Sequence, residues 1–239
     1  DLEHQLQQHS TPDKRVLVCC EGVYSADGDF ADLQSIVGLA KQYSAYTLVD
    51  EAHSFLVAGK HGRGVCEQAG VLEQVDLYMM SLAKAVSCGC GAILANKKIS
   101  RYLQYFAKSG TFSNGFPPCI AAGIIQTLEL ASSDDADQRR LKLQKNANYL
   151  KSLLETRVDL GISESWIVTV LYGDDHKTLE LNTYLRQQGL EASPLQFPVV
   201  PKGHARLRLT VTAKHTRAQL EKAADIILGA AEKFCFLYT

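Results

Sequence analysis

Val49-Asp50-Glu51-Ala52-His53-Ser54 follows the apolar run at 46–49 and puts two acids and an imidazole within four residues. Parallel sheets bind ligands at the carboxyl ends of their strands. Asp50, ending such a strand, is therefore expected at the floor of a cleft, with His53 just beyond it. A second reactive group comes after the next predicted strand, in Met80-Ser81-Leu82-Ala83-Lys84-Ala85. The small apolar flanks of Lys84, and the Gly89-Cys90-Gly91 that follows, predict an enclosed lysine. A lysine in that setting shifts its pKa readily and forms Schiff bases. Pyridoxal phosphate (PLP) needs that set. An amine takes its carbonyl carbon, an acid keeps its ring nitrogen protonated, and hydroxyls or backbone N–H groups hold its phosphate.

Asp-Glu-Ala-His has a second reading, the Mg²⁺-binding box of DEAH-type helicases. That chemistry needs a GxxxxGK[ST] phosphate cradle, which the sequence lacks. It also needs basic surface for RNA, whereas 25 Lys and Arg stand against 26 Asp and Glu in 239 residues. The near-neutral balance gives no pull toward nucleic acid or anionic membrane. No apolar run approaches the roughly 20 residues that span a bilayer. The seven cysteines include no CxxC pair, so no metal site is expected. They read as reduced thiols of a cytoplasmic protein. The chain opens on Asp1 and a polar stretch without the pattern of a signal peptide.

The elements that would carry these groups follow from periodicity. Continuous apolar runs at 15–20 and 46–49 predict parallel strands buried on both faces. Phe30, Leu33, Ile36, Val37, Ala40 and Tyr43 recur at helical spacing between them, which makes a βαβ unit. Further strands are expected at 76–81 and 91–95. Pro117-Pro118 opens a helix that Ser132-Ser133-Asp134-Asp135 interrupts, and another runs to about Thr156. Then come a strand at 166–171, a helix at 177–188 and an alternating, half-exposed antiparallel strand at 206–212. Thr216-Arg217-Ala218-Gln219 reads as a capping box ahead of the last helix. The composition fits an α/β part over 1–131 and a smaller α+β part over 132–239.

Taken in order, several segments resemble the α-oxoamine synthase family of fold-type I PLP enzymes, which is class II aminotransferase-like. They are Glu21-Gly22-Val23-Tyr24-Ser25-Ala26-Asp27-Gly28-Asp29, Val49–Ser54, Gly62-Arg63-Gly64 and Ser81-Leu82-Ala83-Lys84-Ala85. Thr111-Phe112-Ser113-Asn114-Gly115-Phe116-Pro117-Pro118 and Pro201–Leu209 complete the set. The resemblance implies the later part of a large, mostly parallel-sheet domain plus a small C-terminal domain. Family members carry a substantial portion ahead of the strand that ends at Glu21, so the chain is expected to be N-terminally truncated.

What the resemblance implies for the site is specific. Lys84 matches the lysine that holds PLP and later acts as acid and base. Asp50 matches the partner of the ring nitrogen, and His53 the residue at the phenolic oxygen. Ser81 matches a phosphate ligand, while Glu21 and Ser25 match cleft positions that hold substrate and cofactor. Ser113 and Asn114 match a loop that reaches the partner's phosphate in a homodimer. Arg208 matches the clamp on the amino-acid carboxylate, with Arg206 as the alternating neighbour. The implied reaction condenses an amino acid with an acyl-CoA thioester, usually with decarboxylation, to an α-amino ketone. Other readings are an aminotransferase or lyase of the same fold, and a catalytically incomplete fragment or dimer partner. Such partners lack the lysine, which is present here. Ala83 replaces the family's usual Ser, and Ser87-Cys88-Gly89-Cys90-Gly91 replaces a glycine pair. Different segments point to different branches, which leaves the amino acid and acyl chain open.

Overall fold

In the computed structural model, which describes residues 1–113, 115 and 117–234, four short runs form one sheet. They are β1 (Leu17–Glu21), β2 (Tyr46–Asp50), β3 (Leu77–Ser81) and β4 (Gly91–Ala95), neighbours in that order. β1, β2 and β3 are parallel, and β4 returns antiparallel along β3. β1 and β2 are joined through α2 (Leu33–Gln42), which turns Leu33, Val37 and Ala40 inward. The Asp32 side chain caps it by accepting from Ser35 N–H. A polar opening stretch forms α1 (Leu2–His9), a helix the apolar pattern does not announce, anchored by buried Leu6.

This sheet departs from the expectation of strands buried on both faces. Side chains alternate across a strand, and the register puts Leu17 and Cys19 of β1 on one face with Tyr46 and Leu48 of β2 and Met79 of β3. That face is open: Leu17 is 47% exposed and Tyr46 41%. On the opposite face, Thr47, Val49, Tyr78 and Met80 are buried. A continuous apolar run shows that a strand suits burial on both sides. It does not say which chain covers the second side.

Past β4, Asn96 caps α4 (Lys97–Phe106) through its side-chain oxygen, which accepts from Lys98 and Ile99 N–H, each at 3.0 Å. α5 (Lys108–Thr111), α6 (Pro118–Ala131) and α7 (Asp134–Leu154) follow. These elements belong to two compact units, Asp1–Val23 with Phe30–Asp137, and Tyr24–Asp29 with Gln138 onward.

The second unit has an antiparallel sheet of β5 (Ile167–Gly173), β7 (Ala205–Thr210) and β6 (Ser193–Leu195), with β7 in the middle. α8 (Asp175–Gln187) and α9 (Arg217–Lys233) complete it, the latter opened by the full Thr216–Gln219 capping box. Leu150, Leu154, Val168, Val170, Leu181, Leu185, Leu207 and Ile227 form its core. β7 is antiparallel as expected, but its polar face is covered at the Arg206 end. It sits between β5 and β6, and Arg206 is 4% exposed. Along its polar face Arg206 is buried, Arg208 half-buried and Thr210 exposed.

Leu181 is fully buried on α8, so Leu181→Ala leaves a cavity. The expected cost is about 2–5 kcal/mol of unfolding free energy. Chemical denaturation measures it, and a change below about 1 kcal/mol contradicts the packing described.

Candidate functional site

Glu21, Asp50 and Ser81 are the last residues of β1, β2 and β3. Glu21 pairs in register with Asp50, and Asp50 with Met79, two residues before Ser81. By alternation the three side chains leave one end of the sheet on its open face, each half-buried. The Asp50 carboxylate accepts from Ala52 N–H through Oδ1 at 2.8 Å. His53 is half-buried in the turn after β2.

Lys84 lies three residues past the end of β3, in the connection to β4. Its carbonyl accepts from Ser87 N–H at 3.1 Å, Cys88 N–H reaches Leu82 O at 2.8 Å, and Leu82 N–H reaches Cys90 O at 2.9 Å. The backbone is thus closed around Lys84, but the residue itself is exposed. The expected enclosure is absent because small neighbours supply no wall, and the face above it is open. Ser113 is exposed just past α5, with its hydroxyl donating to Ser109 O. Asn114 lies outside the described residues.

Behind the strand ends is a group that motif reasoning passed over. Glu51 points opposite to Asp50 and is fully buried. Val65 N–H donates to its Oε2 at 2.9 Å and Cys66 N–H to its Oε1 at 2.7 Å, both in the first turn of α3 (Gly64–Gln68). The Ser54 hydroxyl donates to Oε2 as well. A Cβ at Gly22 would stand 2.6 Å from Oε2, and one at Gly64, where φ is +83°, 2.4 Å from it. The glycines at 22, 62 and 64 were the available signal, because a cluster of them near an acid marks a close approach. Burial, aided by the Glu51 charge, pushes the Cys66 thiol and the Tyr78 hydroxyl well up. Cys20 is raised to about 11, by burial first and then by the charges of Cys19 and Glu51.

Ser25 and Arg208 belong to the second unit. Arg208 Nη1–H donates to Ser25 O at 3.2 Å, while its buried Nε has no hydrogen-bond partner. Arg206, two residues earlier on the same face, is paired with Asp27. Gly28, at φ +77°, passes so close to β5 that a Cβ would meet Ile167 O at 2.5 Å. Its carbonyl accepts from Ser165 N–H at 2.8 Å. The 24–29 segment is thereby fixed to the second unit. Of the two arginines, Arg206 is committed internally and Arg208 keeps donor capacity for a carboxylate.

A family model described as "Aminotransferase class I and II" matches residues 1–227. The chain belongs to that family. Among its relatives, an 8-amino-7-oxononanoate synthase from Citrifermentans bemidjiense is 37% identical over 233 residues, 97% of this chain and 60% of the relative. Among solved structures, a serine palmitoyltransferase from Sphingomonas wittichii superposes with a TM-score of 0.92 at 30% identity, over 100% of this chain and 60% of that one. A variant of serine palmitoyltransferase from S. paucimobilis, with a bound PLP–myriocin aldimine, superposes with a TM-score of 0.91 at 28% identity, over 98% and 59%. The chain thus spans about 60% of the length of the curated relatives it matches. In this aminotransferase class I and II chain, the parallel sheet and the antiparallel unit after it are part of the fold-type I PLP transferase architecture.

The cysteines offer a direct check on these surroundings. The thiolate is the reacting species, so a raised pKa and burial both slow alkylation. At about pH 8, exposed Cys19 and Cys119 should react well before Cys20, and buried Cys66 last. Time-resolved labelling with peptide mass spectrometry gives the order. Cys66 reacting as fast as Cys119 contradicts the buried Glu51 cluster.

Proposed function

We propose that this chain is the later part of a PLP-dependent enzyme that condenses an amino acid with an acyl-CoA thioester. CoA and usually carbon dioxide leave, and an α-amino ketone forms. The observation that carries the reading is the convergence of Asp50, His53, Ser81 and Lys84 on one end of a parallel sheet. Family membership and the names of the relatives support it.

The donor set fits PLP. Asp50 Oδ1 is engaged by Ala52 N–H, so Oδ2 is the oxygen that would hold a proton on the ring nitrogen. When bound, PLP supplies an electron sink that makes the Cα–H of an attached amino acid acidic. The Lys84 amine holds the cofactor, then takes and returns the proton at the substrate Cα. His53 orients the ring at its phenolic oxygen. Ser81 donates to the phosphate, and Glu21 and Ser25 line the substrate side. Arg208 holds the amino-acid carboxylate through its guanidinium fork.

We further propose a cytoplasmic homodimer with the site at its interface, where Ser113 and Asn114 serve the partner's phosphate. α6 is apolar yet buries none of its residues, with Ile125 58% and Leu130 62% exposed. A helix of that composition is normally covered. The exposure of Lys84 and of one sheet face favours a site completed by chain beyond these residues. No helix among the described residues is long and apolar enough to cross a membrane, and their six cysteines are free, as in a reducing compartment. We also propose a division into the end of a large PLP-binding domain, about 1–131, and a small domain, about 132–239, although the compact units part at 137–138 and 24–29 groups with the second.

The test supplies the intact protein with PLP, an acyl-CoA and glycine, alanine or serine. Free CoA and an amino ketone, identified by mass spectrometry, are the expected products. Asp50→Asn should lower turnover by about 10²-fold or more, the usual scale for a group that governs proton transfer. Near-normal turnover in that variant would remove Asp50 from the mechanism. Amino transfer to a keto acid without CoA release would identify an aminotransferase instead.

A further inference from the structure

Glu51 is a fully buried carboxylate that the proposed chemistry does not use. Burying such a charge is costly unless donors surround it. Three do: Val65 N–H, Cys66 N–H and the Ser54 hydroxyl. Gly22 and Gly64 leave the space it fills, each too close for a Cβ. An apolar side chain would fill that space without needing any donor. The carboxylate instead fastens two segments to one another and packs against a third. The bonded ones are the turn after β2 and the first turn of α3, and the packed one is the chain leaving β1 at Gly22.

Those segments carry the reactive groups. Gly22 N–H donates to Asp50 O at 2.8 Å, and Glu51 N–H to Met79 O at 2.8 Å, so the peptide joining Asp50 to Glu51 is held from both sides. Glu51 O accepts from Ser54 N–H at 3.0 Å and Phe55 N–H at 2.8 Å, which closes the turn that holds His53. Asp50 and Glu51, adjacent on one strand, point to opposite faces. One faces the ligand side and the other grips the scaffold.

We propose that Glu51 is a positioning residue for the cofactor site, fixing the direction of the Asp50 carboxylate and the His53 turn by tying the turn after β2 to α3 against the chain leaving β1. This rests on the PLP reading above. A carboxylate accepts at both oxygens, whereas an amide accepts at one and turns N–H donors toward Val65 or Cys66 N–H at the other. Glu51→Gln keeps the shape and breaks the donor pattern. The effect should reach the cofactor through Asp50, which touches it, rather than through Glu51, which does not.

The experiment compares wild type, Glu51→Gln, Ser54→Ala and Leu181→Ala in the intact protein. Three quantities are read: the PLP dissociation constant, the midpoint of the pH titration of the bound cofactor's visible absorbance, and Tm. Glu51→Gln should weaken PLP binding by about 10-fold or more, the scale on which supporting groups act on a bound metal. It should also move the titration midpoint. Ser54→Ala should move both in the same direction by less. Leu181→Ala, in the other unit, should lower Tm and leave both at wild-type values. A lowered Tm in Glu51→Gln with wild-type affinity and midpoint overturns the proposal and leaves Glu51 purely structural. If Glu51→Gln does not fold, Ser54→Ala decides on the same two readouts, and wild-type values there overturn it. If wild type itself takes up no PLP, the cofactor reading fails, and this role fails with it.

Discussion

Because β1, β2 and β3 run parallel and in register, Glu21, Asp50 and Ser81 leave the sheet at one end. The turns that carry His53 and Lys84 begin from that same end. Parallel pairing fixes this arrangement before any side chain is considered, since all three carboxyl termini must point the same way. The antiparallel return of β4 closes the Lys84 connection back onto β3, as the bond from Leu82 N–H to Cys90 O shows. The amine-bearing loop is therefore short and tethered at both ends.

The layers on either side of the sheet are unequal, and the inequality has chemical meaning. Thr47, Val49, Tyr78, Met80 and Glu51 are buried on one side and make the rigid support. The other side keeps Leu17, Cys19 and Tyr46 exposed, and elsewhere α4 and α6 also expose apolar residues such as Tyr102, Phe106, Ile125 and Leu130. Exposed apolar area on this scale is a surface awaiting cover. In the second unit the support differs in kind. Arg206 and Asp27 fasten the 24–29 segment to β7, and the pair commits one of two neighbouring arginines while leaving the other's donors available.

Much of this was legible in the sequence where local pattern decides. The strand at 91–95, the capping box at Thr216–Gln219 and the break near Ser132–Asp135 rest on turn chemistry and periodicity over a few residues. The acid and lysine at successive strand ends were visible for the same reason. Burial was less legible, because it depends on distant chain. Arg206 alternates with leucines like an edge residue, and only the approach of Asp27, 179 positions earlier, makes it internal. Lys84 has the flanks of an enclosed residue, yet small neighbours cannot enclose anything. Glu51 stands in a motif whose other members draw attention, and its burial becomes evident only when Gly22 and Gly64 close around it. The α1 helix escaped notice because a polar stretch carries little apolar periodicity, and a single buried leucine holds it.

The central claim is that Lys84 is the amine that holds PLP. Borohydride reduction of the PLP-treated intact protein, followed by peptide mapping, tests it most directly. The account predicts a pyridoxyl label confined to the peptide containing Lys84, and its loss in Lys84→Ala. A label scattered over surface lysines, or one that survives in Lys84→Ala, would contradict it.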